Sequence, residues 1–323
     1  MMSTDLLYFI VPCYNEEAVL PETSKRLKKK MTELIAAGKV SPESRICFVN
    51  DGSKDSTWQI ISELHDSDPV FSGINLSRNR GHQNALLAGL MTVKDFCDLT
   101  ISMDADLQDD IEVCDQMIDK YHAGKDIVYG VRSARALDSR FKKSTAQSFY
   151  KMMNRMGAET VYNHADYRLM SKRAMNALSG FREVNLFLRG IVPLIGFPTD
   201  VVYYERAERF AGESKYPLKK MISFAIDGLT SFSSKPLELI ARTGGVIFLA
   251  GAVLLIVEII RWAVGQAVPG WAFPTISIWT VGGLILLAVG IVGVYTGKTY
   301  MESKERPRYI VERFLDRDHG FIS

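Results

Sequence analysis

Leu99-Thr100-Ile101-Ser102-Met103-Asp104-Ala105-Asp106-Leu107-Gln108-Asp109-Asp110 is the stretch on which the fold turns. Leu99–Met103 is an unbroken run of apolar and small residues, the pattern of a strand covered on both faces. The carboxylates begin at Asp104, where such a strand would leave its sheet. Working outward, the pattern recurs. Leu6–Val11 runs into Pro12-Cys13-Tyr14-Asn15-Glu16-Glu17, and Arg45–Asn50 runs into Asp51-Gly52-Ser53-Lys54-Asp55-Ser56-Thr57. Ser72–Leu76 and Asp126–Val131 complete the set of predicted strands. Helical patterns fall between them at Ser56–Leu64, His82–Phe96 and Ile111–Tyr121. This alternation predicts an α/β fold, a mostly parallel sheet with helices on both faces. Ligands of such sheets bind beyond the carboxyl ends of the strands, which is where the polar clusters stand.

Asp51, Asp104 and Asp106 would meet at one sheet edge. Carboxylates so placed repel one another unless a cation or a hydrogen-bonding ligand sits among them. Asp-x-Asp also occurs at Asp66/Asp68 and Asp316/Asp318, in polar surroundings that predict solvated side chains. Only Asp104/Asp106 directly follows a buried strand. Its hard oxygen donors suit Mg²⁺ or Mn²⁺ bridging the phosphates of a substrate. No Gly-x-Gly-x-x-Gly follows the first strand and no Walker A loop is present, which disfavours a dinucleotide fold and a P-loop. Asp55 or Ser56 reads as a helix cap.

The 323 residues carry a formal charge of +2, so bulk electrostatics give no reason to expect a nucleic-acid partner. Cys13, Cys47, Cys97 and Cys114 form no CxxC pair and read as buried, reduced thiols. Leu6–Val11 is too short for a signal peptide and lacks a basic start.

Composition changes near Pro236. Gly244–Val264 and Ile276–Tyr295 are apolar stretches that approach the ~20 residues needed to cross a bilayer core. The connection Gly265–Thr275 has no Lys or Arg. Lys219, Lys220, Lys235 and Arg242 precede the pair, and Lys298, Lys304, Arg306, Arg308, Arg313 and Arg317 follow it. The positive-inside rule then puts both ends in the cytoplasm and the short loop outside. Trp262, Trp271 and Trp279 lie near that loop as an interfacial belt would. Glu258, near the outer end of the first stretch, can snorkel or face a partner. Leu218, Met221, Ile222, Ala225, Leu229 and Phe232 recur at helical spacing, the pattern of an amphipathic helix on the membrane surface. The expected division is a cytoplasmic α/β domain over 1–212, an amphipathic helix over 213–235, a two-span hairpin over 236–297 and a basic tail over 298–323.

Taken together, Val11–Glu17, Asn50–Thr57, Ser77-Arg78-Asn79-Arg80-Gly81-His82-Gln83 and Asp104–Asp109 resemble family 2 glycosyltransferases with a Rossmann-like GT-A fold. More narrowly the chain resembles the polyprenyl-phosphate glycosyltransferases, the GtrB-like and dolichol-phosphate mannose synthase-like group. The likeness runs from Phe9 to about Tyr216, and the two apolar stretches suit the GtrB-like branch. It implies that Pro12, Tyr14, Glu16 and Asp51, with Asp104 and Ala105, hold the nucleotide. It gives Asp104 and Asp106 the metal and the diphosphate, and places Gln108 nearby on the sugar side. Asp166, in Asn163–Leu169, matches the position proposed as catalytic base. Arg206, Arg209 and Lys215, with Arg132 and Arg135, are implied contacts of the acceptor phosphate. The resemblance also implies a homo-oligomer, a tetramer, and a UDP-linked donor with glucose leading. GlcNAc, GalNAc, galactose, mannose and aminoarabinose stay open.

Elementary chemistry supports these roles unevenly. Arg forks before a membrane helix suit a lipid phosphate, although such a patch also binds anionic headgroups. A phosphate monoester has a second pKa of about 6 and is mostly dianionic at neutral pH. Asp166 could therefore act as base, orient the acceptor, or pair with Arg168. His82 and His164 are ligand contacts or hydrogen-bonded structural residues. Processive relatives carry Gln-x-x-Arg-Trp; here the only Arg-Trp pair, Arg261-Trp262, lacks the glutamine and lies in an apolar stretch. That favours one transfer over polymerisation, with a processive synthase and a non-catalytic adaptor as the rival readings.

Overall fold

A computed structural model describes residues 5–133, 164–183, 188–205 and 272–322, together with isolated positions between 240 and 264. The strands are β1 (Leu7–Cys13), β2 (Arg45–Asn50), β3 (Phe71–Leu76), β4 (Leu99–Ser102), β5 (Ile127–Arg132), β6 (His164–Ser171), β7 (Thr199–Tyr204), β8 (Val311–Leu315) and β9 (Phe321–Ile322). The helices are α1 (Leu20–Ala36), α2 (Thr57–Ser67), α3 (His82–Val93), α4 (Cys114–His122), α5 (Lys172–Ser179), α6 (Leu188–Leu194) and α7 (Ala272–Ser303), with a 3₁₀ turn at Ile111–Val113. All five predicted strands and all three predicted helical patterns are present.

The nine strands form one sheet in the order β7-β5-β6-β4-β1-β2-β3-β8-β9. β4, β1, β2 and β3 pair in parallel, as do β5 and β7; β6 and β8 run against the rest. Every residue of β1 is buried because helices cover both faces, which is why it reads as a continuous apolar run. Leu7, Phe9 and Val11 join Leu27, Met31 and Leu34 of α1, Ile61 of α2 and Met117 and Ile118 of α4 in one core. On the opposite face α3 lies close: a Cβ at Gly89 would stand 2.5 Å from Ile10 Cγ2 and 2.9 Å from Val49 Cγ2. A larger residue there would force the helix off the sheet.

The region set apart above as a basic tail, 298–323, differs from that expectation. α7 continues to Ser303, and Val311–Leu315 is a strand of the main sheet, antiparallel to β3. Asp316, expected to be solvated, is buried and accepts hydrogen bonds from Tyr8 Oη (3.1 Å) and Ser72 Oγ (2.7 Å). Arg308 donates to the carbonyls of Phe181 (2.9 Å) and Glu183 (3.3 Å). The tail's positive charges are thus carried on a segment that covers the edge of β3, an edge that would otherwise be open to pairing.

Contacts divide the chain into two units. The first holds the sheet, including Arg306–Ser323; the second holds Leu218–Glu305 with Arg155–Ala158. In the second, α7 contains one stretch, Val281–Ser303, long and apolar enough to cross a membrane. Its apolar side chains are exposed, Leu286 by 75% and Ile278 by 71%. Most of the first apolar stretch, Gly244–Val264, lies outside the described residues, as does the expected amphipathic helix.

Candidate active site

The site is built at the carboxyl ends of β1, β2 and β4 and the facing part of β6. The β1 and β2 loops are laced together. Asn15 N–H donates to Ser53 Oγ (3.0 Å), Lys54 N–H to Asn15 Oδ1 (2.9 Å) and Glu16 N–H to Thr57 Oγ1 (2.9 Å). Asp55 accepts from the Thr57 amide at 3.1 Å, which makes it the cap of α2; Ser56 makes no side-chain cap bond. Pro12 is buried in β1, whereas Tyr14 projects with 42% of its surface exposed.

Asp51 is buried and grips the next loop. Its Oδ1 accepts the Arg80 N–H (2.6 Å) and its Oδ2 the Gly81 N–H (2.8 Å). Burial pushes this carboxyl up, against the pull of the two amides. Gly52 has φ +62°, and a Cβ there would lie 2.5 Å from the Asn79 nitrogen, so only glycine lets the loops meet. Asp51 therefore fixes the Ser77–Gln83 segment, which in turn delivers His82 and Gln83 to the start of α3.

Asp104 and Asp106 follow β4 in a tight turn. Asp106 Oδ1 accepts the Gln108 N–H (3.2 Å), and Leu107 sits at φ +57°. The Ala105 carbonyl accepts from Thr23 Oγ1 (2.8 Å), which ties the turn to α1. Gln108 is buried. Burial, with Asp109, Asp166 and Asp106 close by, pushes the Asp104 carboxyl up, against the opposing charge of His82. Among the described residues no three His, Cys, Asp or Glu side chains are grouped to hold a metal ion. Two carboxylates are nonetheless a fitting partial donor set for a hard cation that is completed by phosphate oxygens and water.

Ser102 of β4 pairs with Arg168 of β6, so the end of β4 meets the part of β6 that carries Asp166. His82 Nε2 lies 3.5 Å from Asp104 Oδ1 and 3.4 Å from Asp166 Oδ2, joining the two acids. Burial works against charge on this imidazole, but the bond to Asp166 and the charges of Asp104 and Asp166 push its pKa up to about 9.

Asp166 is held by a residue the sequence reading missed. Arg189 of α6 donates from Nε to Oδ1 (3.2 Å) and from Nη2 to Oδ2 (3.1 Å), a forked pair. Arg168, the partner considered above, is farther, with Nη2 3.9 Å from Oδ1. Burial alone would raise the Asp166 carboxyl; the His82 bond and the Arg189 guanidinium outweigh it and hold it well below the usual range. Gln83 Oε1 accepts the Leu188 N–H (2.8 Å) and so fixes the start of α6. Nothing local in the sequence joins Arg189 to Asp166, 23 residues apart and separated by α5; only the fold does.

Arg132, at the end of β5, is engaged on the protein side. Its Nη2 lies 3.4 Å from Asp109 Oδ1 and its Nε donates to Tyr204 Oη (3.2 Å), while Tyr204 Oη donates to Asp109. Arg135, Arg206, Arg209 and Lys215 lie outside the described residues. Asp104, Asp106, Gln108 and Asp166 therefore share one sheet end with the Asp51 loop.

Residues 8–179 match Glycosyl transferase family 2. An uncharacterised glycosyltransferase of Bacillus subtilis strain 168, YkoT, is 48% identical over 310 residues, covering 96% of this chain and 92% of that protein. A prophage bactoprenol glucosyl transferase homolog of Escherichia coli K12 is 40% identical over 94% of this chain and 97% of its own length. The bactoprenol glucosyl transferase of Shigella phage SfV is 39% identical with the same coverage. The carboxylate-rich end of a GT-A-like α/β sheet, the matched family and these near full-length relatives lead to one conclusion: the chain belongs to glycosyl transferase family 2 and is a glycosyltransferase.

Proposed function

We propose that the enzyme transfers one glucosyl unit from UDP-glucose to a polyprenyl phosphate, bactoprenyl (undecaprenyl) phosphate, at the cytoplasmic face of a membrane. The observation that carries this reading is the likeness, at about 40% identity over nearly the whole length, to proteins named for bactoprenol glucosyl transfer. An acceptor phosphate oxygen attacks the anomeric carbon, that carbon's bond to the UDP oxygen breaks, and configuration inverts. A dianionic phosphate needs no base, since the charge it loses on bonding reappears on the released UDP. This suits an Asp166 whose two oxygens are already taken by Arg189 and His82, and it makes the aspartate an orienting group.

The roles follow from position. Pro12, Tyr14, Glu16 and the Asp51 loop form the nucleotide side, and Asp104, Ala105, Asp106 and Gln108 the diphosphate and sugar side. A Mg²⁺ or Mn²⁺ ion on Asp104 and Asp106 would supply charge neutralisation for the departing diphosphate. Positioning and fixed charge account for most of the rate. Arg206, Arg209 and Lys215 belong to the acceptor side in this reading. Two spans, cytoplasmic ends and a homo-oligomer complete it. Support for close helix approach comes from Gly282, Gly283, Gly290 and Gly293 of α7, residues small enough to let a second helix come near.

The test is incorporation of labelled glucose from UDP-glucose into undecaprenyl phosphate by the full chain in detergent. One glucose per lipid is expected. A polymer would favour a processive synthase, and no product with any UDP-sugar or with GDP-mannose would favour an adaptor.

A further inference from the structure

The surroundings of Asp166 carry an imbalance that the roles above do not use. Two guanidiniums, Arg189 and Arg168, face this single carboxylate. Arg168 is 1% exposed, lies 5.5 Å over the Tyr129 ring and, among the described residues, has no hydrogen-bond partner for Nε, Nη1 or Nη2. A buried guanidinium without hydrogen bonds is costly to keep, and replacing it by an apolar residue would relieve that cost unless the charge is needed in another state. Arg189 differs in one respect: its side chain is 34% exposed, so its fork can reach an incoming group while Arg168 cannot.

We propose, resting on the acceptor chemistry above, that Arg189 is the residue that receives the acceptor's phosphate, with Asp166 and Arg168 as its positioning pair. Asp166 holds the Arg189 fork in place. A phosphate dianion competes for the same planar donors, for which an Arg fork is suited. As Arg189 turns to the phosphate, Asp166 needs to close only from 3.9 Å to hydrogen-bond distance to engage Arg168. The carboxylate is then never left buried and alone, the condition that makes breaking such pairs expensive. Gln83, bonded to the Leu188 amide, keeps the hinge of this exchange at the start of α6.

The experiment measures binding of undecaprenyl phosphate and of UDP separately, then initial rates against each substrate, on the full chain in nanodiscs. Arg189→Gln is expected to weaken lipid-phosphate binding and raise its KM by roughly ten- to a hundredfold, the loss of a charge-assisted hydrogen bond. UDP affinity should stay within about twofold, and Arg189→Lys should recover only part because the fork is gone. Asp166→Asn should raise the same lipid-phosphate KM and leave UDP binding alone. If Arg189→Gln fails to fold, Arg189→Lys with an unchanged melting temperature carries the test. Equal losses for UDP and lipid phosphate would put Arg189 on the donor diphosphate and overturn the proposal, as would unchanged lipid-phosphate binding in both variants. Because binding is read without turnover, a wild-type chain that binds the lipid phosphate yet transfers no glucose would sink the functional reading and leave this assignment standing.

Discussion

Tyr8 Oη donates a hydrogen bond of 3.1 Å to Asp316 Oδ2, joining the first strand of the sheet to the segment that follows its last long helix across 308 positions of sequence. The same carboxylate accepts from Ser72 Oγ of β3 and, through Oδ1, from the amides of Asp318 (3.1 Å) and His319 (3.2 Å). One buried aspartate thus organises the return of the chain to the sheet after the apolar region.

Asp316→Ala should cost stability even though it lies far from the β4 carboxylates in sequence. It leaves two buried hydroxyls and two amides without their acceptor, and each such loss is worth about 1–3 kcal/mol. We expect a lower denaturation midpoint in detergent and a smaller deficit for Asp316→Asn, which keeps one oxygen. Transfer activity at low temperature should survive. A variant with unchanged midpoint would mean that β8 adds nothing to the sheet.

The central strands were legible because each is buried on both faces and so spells a continuous apolar run, as Leu7–Cys13 does throughout and β2 does from Ile46 to Val49. The carboxylates after them were legible because the run stops where the sheet does. β8 was not legible: Val311–Leu315 is half exposed, short and flanked by arginines, and its partner is chosen by tertiary geometry rather than by pattern. The Asp166–Arg189 fork was hidden for the same reason. Asp166 could be singled out by motif, but its partner could not, and the adjacent Arg168 was the nearer guess in sequence and the farther one in space.

Asp104→Ala and Asp106→Ala should each lower transfer by at least about a hundredfold, the scale of losing a fixed charge at the reacting centre. The fold should hold, since Asp104 contributes repulsion to its neighbours as well as its contact with His82. Chelation of the wild type should have the same effect, reversed by Mg²⁺ or Mn²⁺. Undiminished transfer in excess chelator, with metal loss verified, would remove the cation from the reaction.

Asp166 makes a prediction about pH. Its folded carboxyl lies well below the unfolded value of about 3.9. The stabilisation is therefore complete above that value and lost only as pH falls through the lower, folded one. Asp166→Asn should be less stable than wild type by about 1.5–3 kcal/mol at neutral pH. The gap should be level from about pH 6.5 to pH 5, shrink as pH rises toward 9 because the same substitution removes the contact that keeps His82 charged, and narrow again only in stronger acid, as read from denaturant midpoints. A gap that closes between pH 7 and pH 5 would show that the Arg189 and His82 contacts do not hold this carboxylate ionised.

The membrane arrangement can be read with thiols, because Cys13, Cys47, Cys97 and Cys114 are all buried and give little background to a water-soluble maleimide. Lys54 is exposed in the β2 loop and Arg306 is exposed just after α7, while Gln266 lies in the connection that lacks Lys and Arg. If both apolar stretches span, Lys54→Cys and Arg306→Cys share one side and Gln266→Cys stands on the other. In spheroplasts the Gln266→Cys variant should label at once, and the other two only after the membrane is opened. Labelling of Lys54→Cys together with Gln266→Cys would put the β2 loop, with Asp51, on the outer face and, because β8 holds the chain after α7 to the same sheet, would leave no complete crossing between them. A nucleotide-sugar drawn from the cytoplasm could not reach that side, so this outcome would overturn the topology and the donor assignment together.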